Sequence, residues 1–148
     1  MPIHFGTDGW RAVISDTFTF ANLRMVTQAI ADAIIAEHRN TSSLKAKKVS
    51  NLEVIIGFDT RFLSDRYASD VARVLAGNNI KVKLTQADCP TPAISFSVNK
   101  MKAVAGIMIT ASHNAPRYNG IKLKSSYGGS APGEQCRRVE VYLSLIHI

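Results

Sequence analysis

The stretch "AVAGIMITA", residues 103–111, carries no charged side chain and is rich in small and β-branched residues. A short apolar run of this kind, with "SHNAP" following it, reads as a strand buried on both faces. Working backward, Thr91 followed by Pro92 predicts a capped helix with proline in its first position. "IKVKLT" (80–85) alternates as a strand does. Ser64 is placed to cap a helix with Val71, Ala72 and Leu75 on one face, and Gly77 suits its left-handed exit. "EVIIGF" (53–58) is a second short, buried strand, and the polar "RNTSSLKAKKVSN" (39–51) connects it to what precedes. There Leu23, Val26, Ile30 and Ile34 recur at three- and four-residue steps after Thr19, which predicts a first helix running to about His38. With "HFGTDGWRAVI" (4–14) as an additional first strand and its approach, the order becomes β-α-β-α-β-α-β. That order predicts an α/β domain, a three-layer α/β/α sandwich around a mostly parallel or mixed four-stranded sheet. Ligands of such sheets gather where strand ends meet loops, so the residues after the quoted strand draw attention first.

Bulk properties narrow the function classes. The 148 residues suit one domain, and 46% hydrophobic with 20% charged content excludes a disordered or collagen-like chain. No segment reaches membrane-spanning length, and "MPIHFGTDGW" lacks a basic region followed by an apolar run, which predicts a cytoplasmic protein with no membrane partner. Cys89 and Cys136 lie far apart without metal-ligand spacing and are expected as two reduced thiols. A formal charge of +7 points to an anionic partner: nucleic acid, a membrane surface or a phosphorylated small molecule. The basic residues come as scattered pairs (Lys47 and Lys48, Lys81 and Lys83, Lys100 and Lys102, Lys122 and Lys124, Arg137 and Arg138) with no aromatic interleaving. They read as solvated faces, and no nucleic-acid partner is expected.

"TASHNAPRYNGIK" (110–122) sets Ser112 beside His113 among turn-forming residues. Neighbours in an extended stretch point to opposite sides, so His113 is not expected to activate Ser112 as a base. The Gly-x-Ser-x-Gly elbow of an α/β-type hydrolase is absent as well. The purely structural alternative is a turn in which Ser112 and Asn114 bond to local backbone. In "GFDTR" (57–61), Asp59 and Arg61 can pair with each other or anchor the serine loop, and Trp10 reads as a packing residue.

"TASHN" with "YNGIK" resembles the active-site serine loop of the α-D-phosphohexomutases, the phosphoglucomutases and phosphomannomutases among them, and "FGTDGWR" (5–11) resembles that family's first signature. "GFDTR" and "CPTPA" (89–93) fall between them in the expected order. The usual loop reads TASHNP; here Ala115 follows Asn114 and proline arrives at Pro116, a departure that bears on backbone shape more than on chemistry. The resemblance implies that Ser112 carries a covalently bound phosphate, gives it to a hexose phosphate substrate, and recovers one from the hexose 1,6-bisphosphate intermediate. A serine phosphomonoester suits such storage because it hydrolyses very slowly unless its charge is stabilised. The resemblance further implies that Lys122 transfers a proton to and from the sugar hydroxyl, which requires a lowered pKa, supplied by burial and a positive neighbour such as Lys124. Arg11 is implied as a phosphate clamp, His113 as a hydrogen-bond donor toward phosphate or substrate, and Asn114 and Thr7 as substrate- or phosphate-binding residues. Gly6 and Gly9 would let the first loop come close. Mg²⁺ is implied as cofactor, with Ser112 its ligand through the phosphate.

Whole members of the family have further domains, and the "DGDGDR"-like aspartate loop that holds the metal and the "GEMSGH"-like loop that selects the sugar do not occur here. Residues 1–140 are therefore expected to form the serine-loop domain and 141–148 a truncated or misjoined tail. Turnover is expected only with the C-terminal domains of the same protein. Glucose, mannose and glucosamine phosphates all stay open as substrates. A noncatalytic phosphate-binding α/β module built from Arg11, the loop amides and Lys122 is the alternative.

Overall fold

Along β2 (Glu53–Phe58), Val54 and Ile56 turn to one side and Ile55 to the other, and this alternation sorts the molecule into two faces. The chain is described by a computed structural model over residues 3–39 and 51–146; most of the polar connection read at 39–51, with Lys47 and Lys48, lies outside the described residues. The remaining elements are β1 (Trp10–Val13), α1 (Phe20–Arg39), α2 (Ser64–Gly77), β3 (Lys81–Leu84), α3 (Thr91–Met101), β4 (Ala105–Ile109), β5 (Tyr118–Lys124) and α4 (Gly133–Ile146). They form one sheet in the order β1-β5-β4-β2-β3. β2 pairs in parallel with β3 and β4, whereas β5 runs antiparallel to β4 and to β1.

The three-layer α/β/α reading holds, with a mixed sheet of five strands where four were expected. The additional strand is β5. Its alternation of Ile121 and Leu123 inward with Lys122 and Lys124 outward is that of a half-buried strand, and the serine loop returns the chain beside β4 as a hairpin.

On one face α1, α2 and α4 cover the sheet. Leu23, Val26, Ile30 and Ile34 of α1 pack with Val71 and Leu75 of α2 and with Cys136, Val139 and Leu143 of α4. Trp10 stacks on Phe18 at 4.7 Å and Phe18 meets Tyr67 edge-on at 4.9 Å, the packing role expected of the tryptophan. α4 continues through Val141 to Ile146. On the other face α3 lies over β2 and β4, where Ile94 and Val98 cover Ile55 and Met108. No residue of β5 or β1 joins this smaller cluster among the described residues. Half of that face is therefore left for other work.

Several local expectations are corrected. Thr19 does cap α1, accepting the Asn22 N–H at 3.2 Å. Ser64 does not cap α2: the preceding residue, Leu63, is left-handed at φ 64°, and the Ser64 hydroxyl is committed to a longer-range network described below. Gly77 stays inside the helix and the left-handed exit falls on Asn79, at φ 60°, an amide-bearing residue that tolerates it. At α3 the cap position is taken by Pro90, whose carbonyl accepts the Ala93 N–H at 3.0 Å, so Thr91 and Pro92 occupy the first turn. Cys89 and Cys136 are both free thiols. Among the described residues no helix is long and apolar enough to cross a membrane.

Candidate functional site

Beyond Ile109 the Thr110 N–H still donates to the Gly120 carbonyl at 3.0 Å, and then the chain departs from the sheet. Ser112 donates its N–H to Thr110 Oγ1 at 3.0 Å, and Asn114 donates its own to the Ala111 carbonyl at 3.0 Å. These bonds fold the loop so that Ser112 adopts φ 54°. The left-handed region costs a serine roughly 1–2 kcal/mol, so the surroundings must hold it there. This conformation corrects the expectation that Ser112 and His113 point apart. In a left-handed bend they share a side, with Ser112 Oγ 3.5 Å from His113 Nδ1 at the exposed surface. That separation lies at the outer limit of a hydrogen bond, too long for efficient activation in this state.

Arg61 provides the hold. One terminal nitrogen, Nη1, donates to the carbonyls of Ala115 at 2.9 Å and Tyr118 at 3.0 Å; the other, Nη2, donates to those of Ser112 at 2.8 Å and Asn114 at 2.7 Å. Its Nε faces Asp59 Oδ2 at 3.5 Å. Both sequence options for "GFDTR" are thus realised together. Asp59 Oδ1 also accepts the Arg61 N–H at 3.0 Å and the Ser64 hydroxyl at 2.8 Å. From Ser64 the network passes to the fully buried Asn119, which donates to Ser64 Oγ at 2.9 Å and accepts the Gly120 N–H at 2.8 Å. Asn119 had no individual reading in sequence, because "NG" there signals a turn and here lies inside a strand.

Arg11 reaches the same loop from the opposite end of the sequence. β1 places it across from Gly120, and its Nη1 donates to Asn114 Oδ1 at 2.7 Å. Its Nε is buried and has no partner. Gly120 makes room, since a Cβ there would meet the carbonyls of Thr110 and Trp10 and the Arg11 side chain at 2.7–2.9 Å. Gly9, at φ 76°, lets the first loop press against β5, and a side chain there would collide with the Ile121 carbonyl. Gly6 differs. It exchanges backbone hydrogen bonds with Gly9, but a side chain there would meet open space, so close approach is the work of Gly9 alone. Thr7 is exposed on that turn, and no hydrogen bond among the described residues joins it to the serine loop.

Lys122 stands on the uncovered half of the sheet face, opposite Met108 of β4. Its pKa is lowered, first by burial, then by the Arg11 guanidinium and by Lys124, with Asp8 acting in the other direction. Sequence reasoning named Lys124 as the positive neighbour; Arg11 ranks ahead of it and becomes a neighbour only through the β1–β5 pairing. The structure thus joins Arg11 to Asn114 in the serine loop and sets Lys122 within the field of Arg11. Among the described residues no three His, Cys, Asp or Glu side chains gather to hold a metal ion. The cavity lined by Glu37, Tyr127 and Arg138 lies at the far end of β5 from the serine loop and has mixed charge.

The chain is similar to known proteins in sequence and in fold. Residues 2–144 match the family described as phosphoglucomutase/phosphomannomutase, α/β/α domain I. A phosphoglucomutase of Staphylococcus saprophyticus is 42% identical over 98 residues, which make up 66% of this chain and 18% of the relative. A crystal structure from Thermus thermophilus, provisionally assigned as a phosphomannomutase, superposes with a TM-score of 0.85 at 38% identity, over 97% of this chain and 30% of that one. Parafusin, a phosphoglucomutase of Paramecium in its open form, shares the fold at 24% identity and a TM-score of 0.79, over 95% of this chain and 25% of its own. The chain spans less than a third of the length of each. A match over almost the whole chain, on a fold these solved structures share, makes it a member of the phosphoglucomutase/phosphomannomutase family, corresponding to that family's α/β/α domain I.

Proposed function

We propose that this chain is the phosphoserine-bearing domain of a cytoplasmic hexose-phosphate mutase, an isomerase that interconverts hexose 1-phosphate and 6-phosphate. The observation that carries the reading is Arg11, bonded through Asn114 to the loop that exposes Ser112, with Lys122 from a distant part of the sequence within its electrostatic field. Phosphorylated Ser112 gives its phosphoryl group to a sugar hydroxyl: the P–Oγ bond breaks as the P–O bond to the sugar forms. The hydroxyl proton passes to neutral Lys122, and Ser112 Oγ recovers a proton in turn. The second half runs in reverse from the other end of the hexose 1,6-bisphosphate. Burial and the Arg11 charge favour the neutral amine that this step requires.

Arg11, whose side chain bonds to Asn114, would clamp phosphate oxygens with its remaining terminal donors, and Asn114 would both orient Arg11 and contact the same phosphate. His113 would donate to phosphate or substrate, and Thr7 would contact them from the first loop. Mg²⁺ would be held by the Ser112 phosphate together with oxygen donors from outside the described residues, and when bound it neutralises charge on the transferring group. The remaining domains of the same protein would supply those donors and the sugar-selecting groups, so the 148-residue chain is expected to show no turnover alone.

The full-length protein, incubated with glucose 1,6-bisphosphate and weighed intact, should gain one phosphoryl group. Ser112→Ala should abolish that gain together with conversion of glucose 1-phosphate to glucose 6-phosphate in a coupled assay. Retained phosphate binding without phosphoryl uptake would leave a noncatalytic anion-binding module instead.

A further inference from the structure

An arginine side chain has five N–H donors, and at Arg61 all five have a place. The four on the terminal nitrogens match the four carbonyls of Ser112, Asn114, Ala115 and Tyr118, and the fifth, on Nε, faces Asp59. The side chain is only 13% exposed although two of its bonds lie at the surface. Nothing remains on this cation for a substrate phosphate. Four carbonyl dipoles converging on one point repel one another, and the planar fork of one guanidinium both offsets that repulsion and fixes their directions.

We propose that Arg61 is a positioning residue for Ser112. Seated on Asp59, it holds the left-handed serine from its carbonyl side, while the Thr110 hydroxyl holds it from its N–H side. Both holds return to Asp59. The first arrives directly; the second passes through the Gly120 carbonyl that pairs with Thr110, then Asn119 and Ser64. The short loop is thus braced between the end of β2 and the start of β5, and the serine oxygen keeps one place whether or not it carries phosphate. The inference rests on Ser112 being the phosphoryl carrier. It adds that loop placement is set by a side chain that touches no substrate.

The test uses the full-length protein and three variants, Arg61→Ala among them for rescue. Arg61→Met removes the fork and the charge; Arg61→Lys keeps the charge but offers one nitrogen with three donors. Misplacing a reacting atom by about 1 Å can cost ~100-fold in rate, so both variants should lose kcat by about 10- to 100-fold, while KM for hexose phosphate changes less than about threefold. Amide hydrogen exchange at residues 112–118 should accelerate in both, with the core amides of β2 and β4 unchanged. Free guanidinium ion at low millimolar concentration should restore part of the kcat of Arg61→Ala. Wild-type kcat in Arg61→Lys, or unaltered loop exchange in Arg61→Met, would overturn the proposal. Because Ser112→Ala must abolish turnover whatever Arg61 does, persistence of turnover in that variant would instead remove the phosphoserine reading itself.

Discussion

The two faces of the sheet are built from the same strands and do opposite work. On the face toward α1, α2 and α4, Ile121 and Leu123 of β5 are buried in a continuous apolar core. One residue along, Lys122 and Lys124 occupy a face where α3 covers β2 and β4 and stops. Period-two alternation converts one strand into a stabilising element on one side and a cationic surface on the other. Stability should be concentrated accordingly. Ile56→Ala, at a site with no exposure on the closed face, should cost about 2–5 kcal/mol in urea unfolding of the chain. Phe96→Ala, at a side chain 64% exposed on the outside of α3, should change stability by less than about 0.5 kcal/mol. Equal losses would mean that stability is not concentrated in the core on the closed face.

The next effect in size concerns how the first loop is pressed onto β5. Gly9→Ala combines a positive φ with a collision against the Ile121 carbonyl, and about 3 kcal/mol is expected. Gly6→Ala, three residues earlier and facing open space, should stay within about 0.5 kcal/mol. Thermal or urea unfolding of the pair measures the difference. A costly Gly6→Ala would show that close approach depends on more of the turn than Gly9.

How much of this was legible in the sequence follows from the range of the interactions. The parallel part of the fold is legible, because "EVIIGF" and "AVAGIMITA" are short, largely apolar runs and "IKVKLT" alternates, each a signal contained within its own segment. β5 does not stand out as a strand of its own, since "YNGIKLK" reads first as the end of the serine loop and its alternation is only a few residues long. Ser64 illustrates the same limit. A serine before an apolar helix is a local capping signal, yet Asp59 and Asn119 take its hydroxyl from the helix amides, and neither partner lies in the capping window. At the candidate site, the resemblance points to Arg11 as a phosphate clamp, and "GFDTR" offers Arg61 as a partner of Asp59 or an anchor of the serine loop. Only the folded chain separates an arginine whose donors are all engaged from one with a buried donor left over.

The smallest expected effect sharpens the comparison most, because it asks whether the half-open face works against stability. Lys122 has a folded-state pKa below the usual lysine value of 10.5, so at neutral pH its ammonium is less favourable in the folded chain than in the unfolded one. The sign follows from proton counts. Between the lowered folded value and 10.5 the unfolded chain binds more protons, so this residue's contribution to stability rises with pH across that window and is least favourable below it. Lys122→Met should therefore be more stable than the wild type at neutral pH, and that advantage should shrink as pH approaches about 10.5. Urea titrations of both chains at a series of pH values report the difference directly, with other titrating groups cancelling. A difference that does not change with pH would mean that burial and Arg11 leave Lys122 no easier to deprotonate. A difference of the expected sign, accompanied in the full-length protein by loss of the proposed glucose 1-phosphate to glucose 6-phosphate conversion, would mark Lys122 as a residue kept in an unfavourable setting because the neutral amine is needed there.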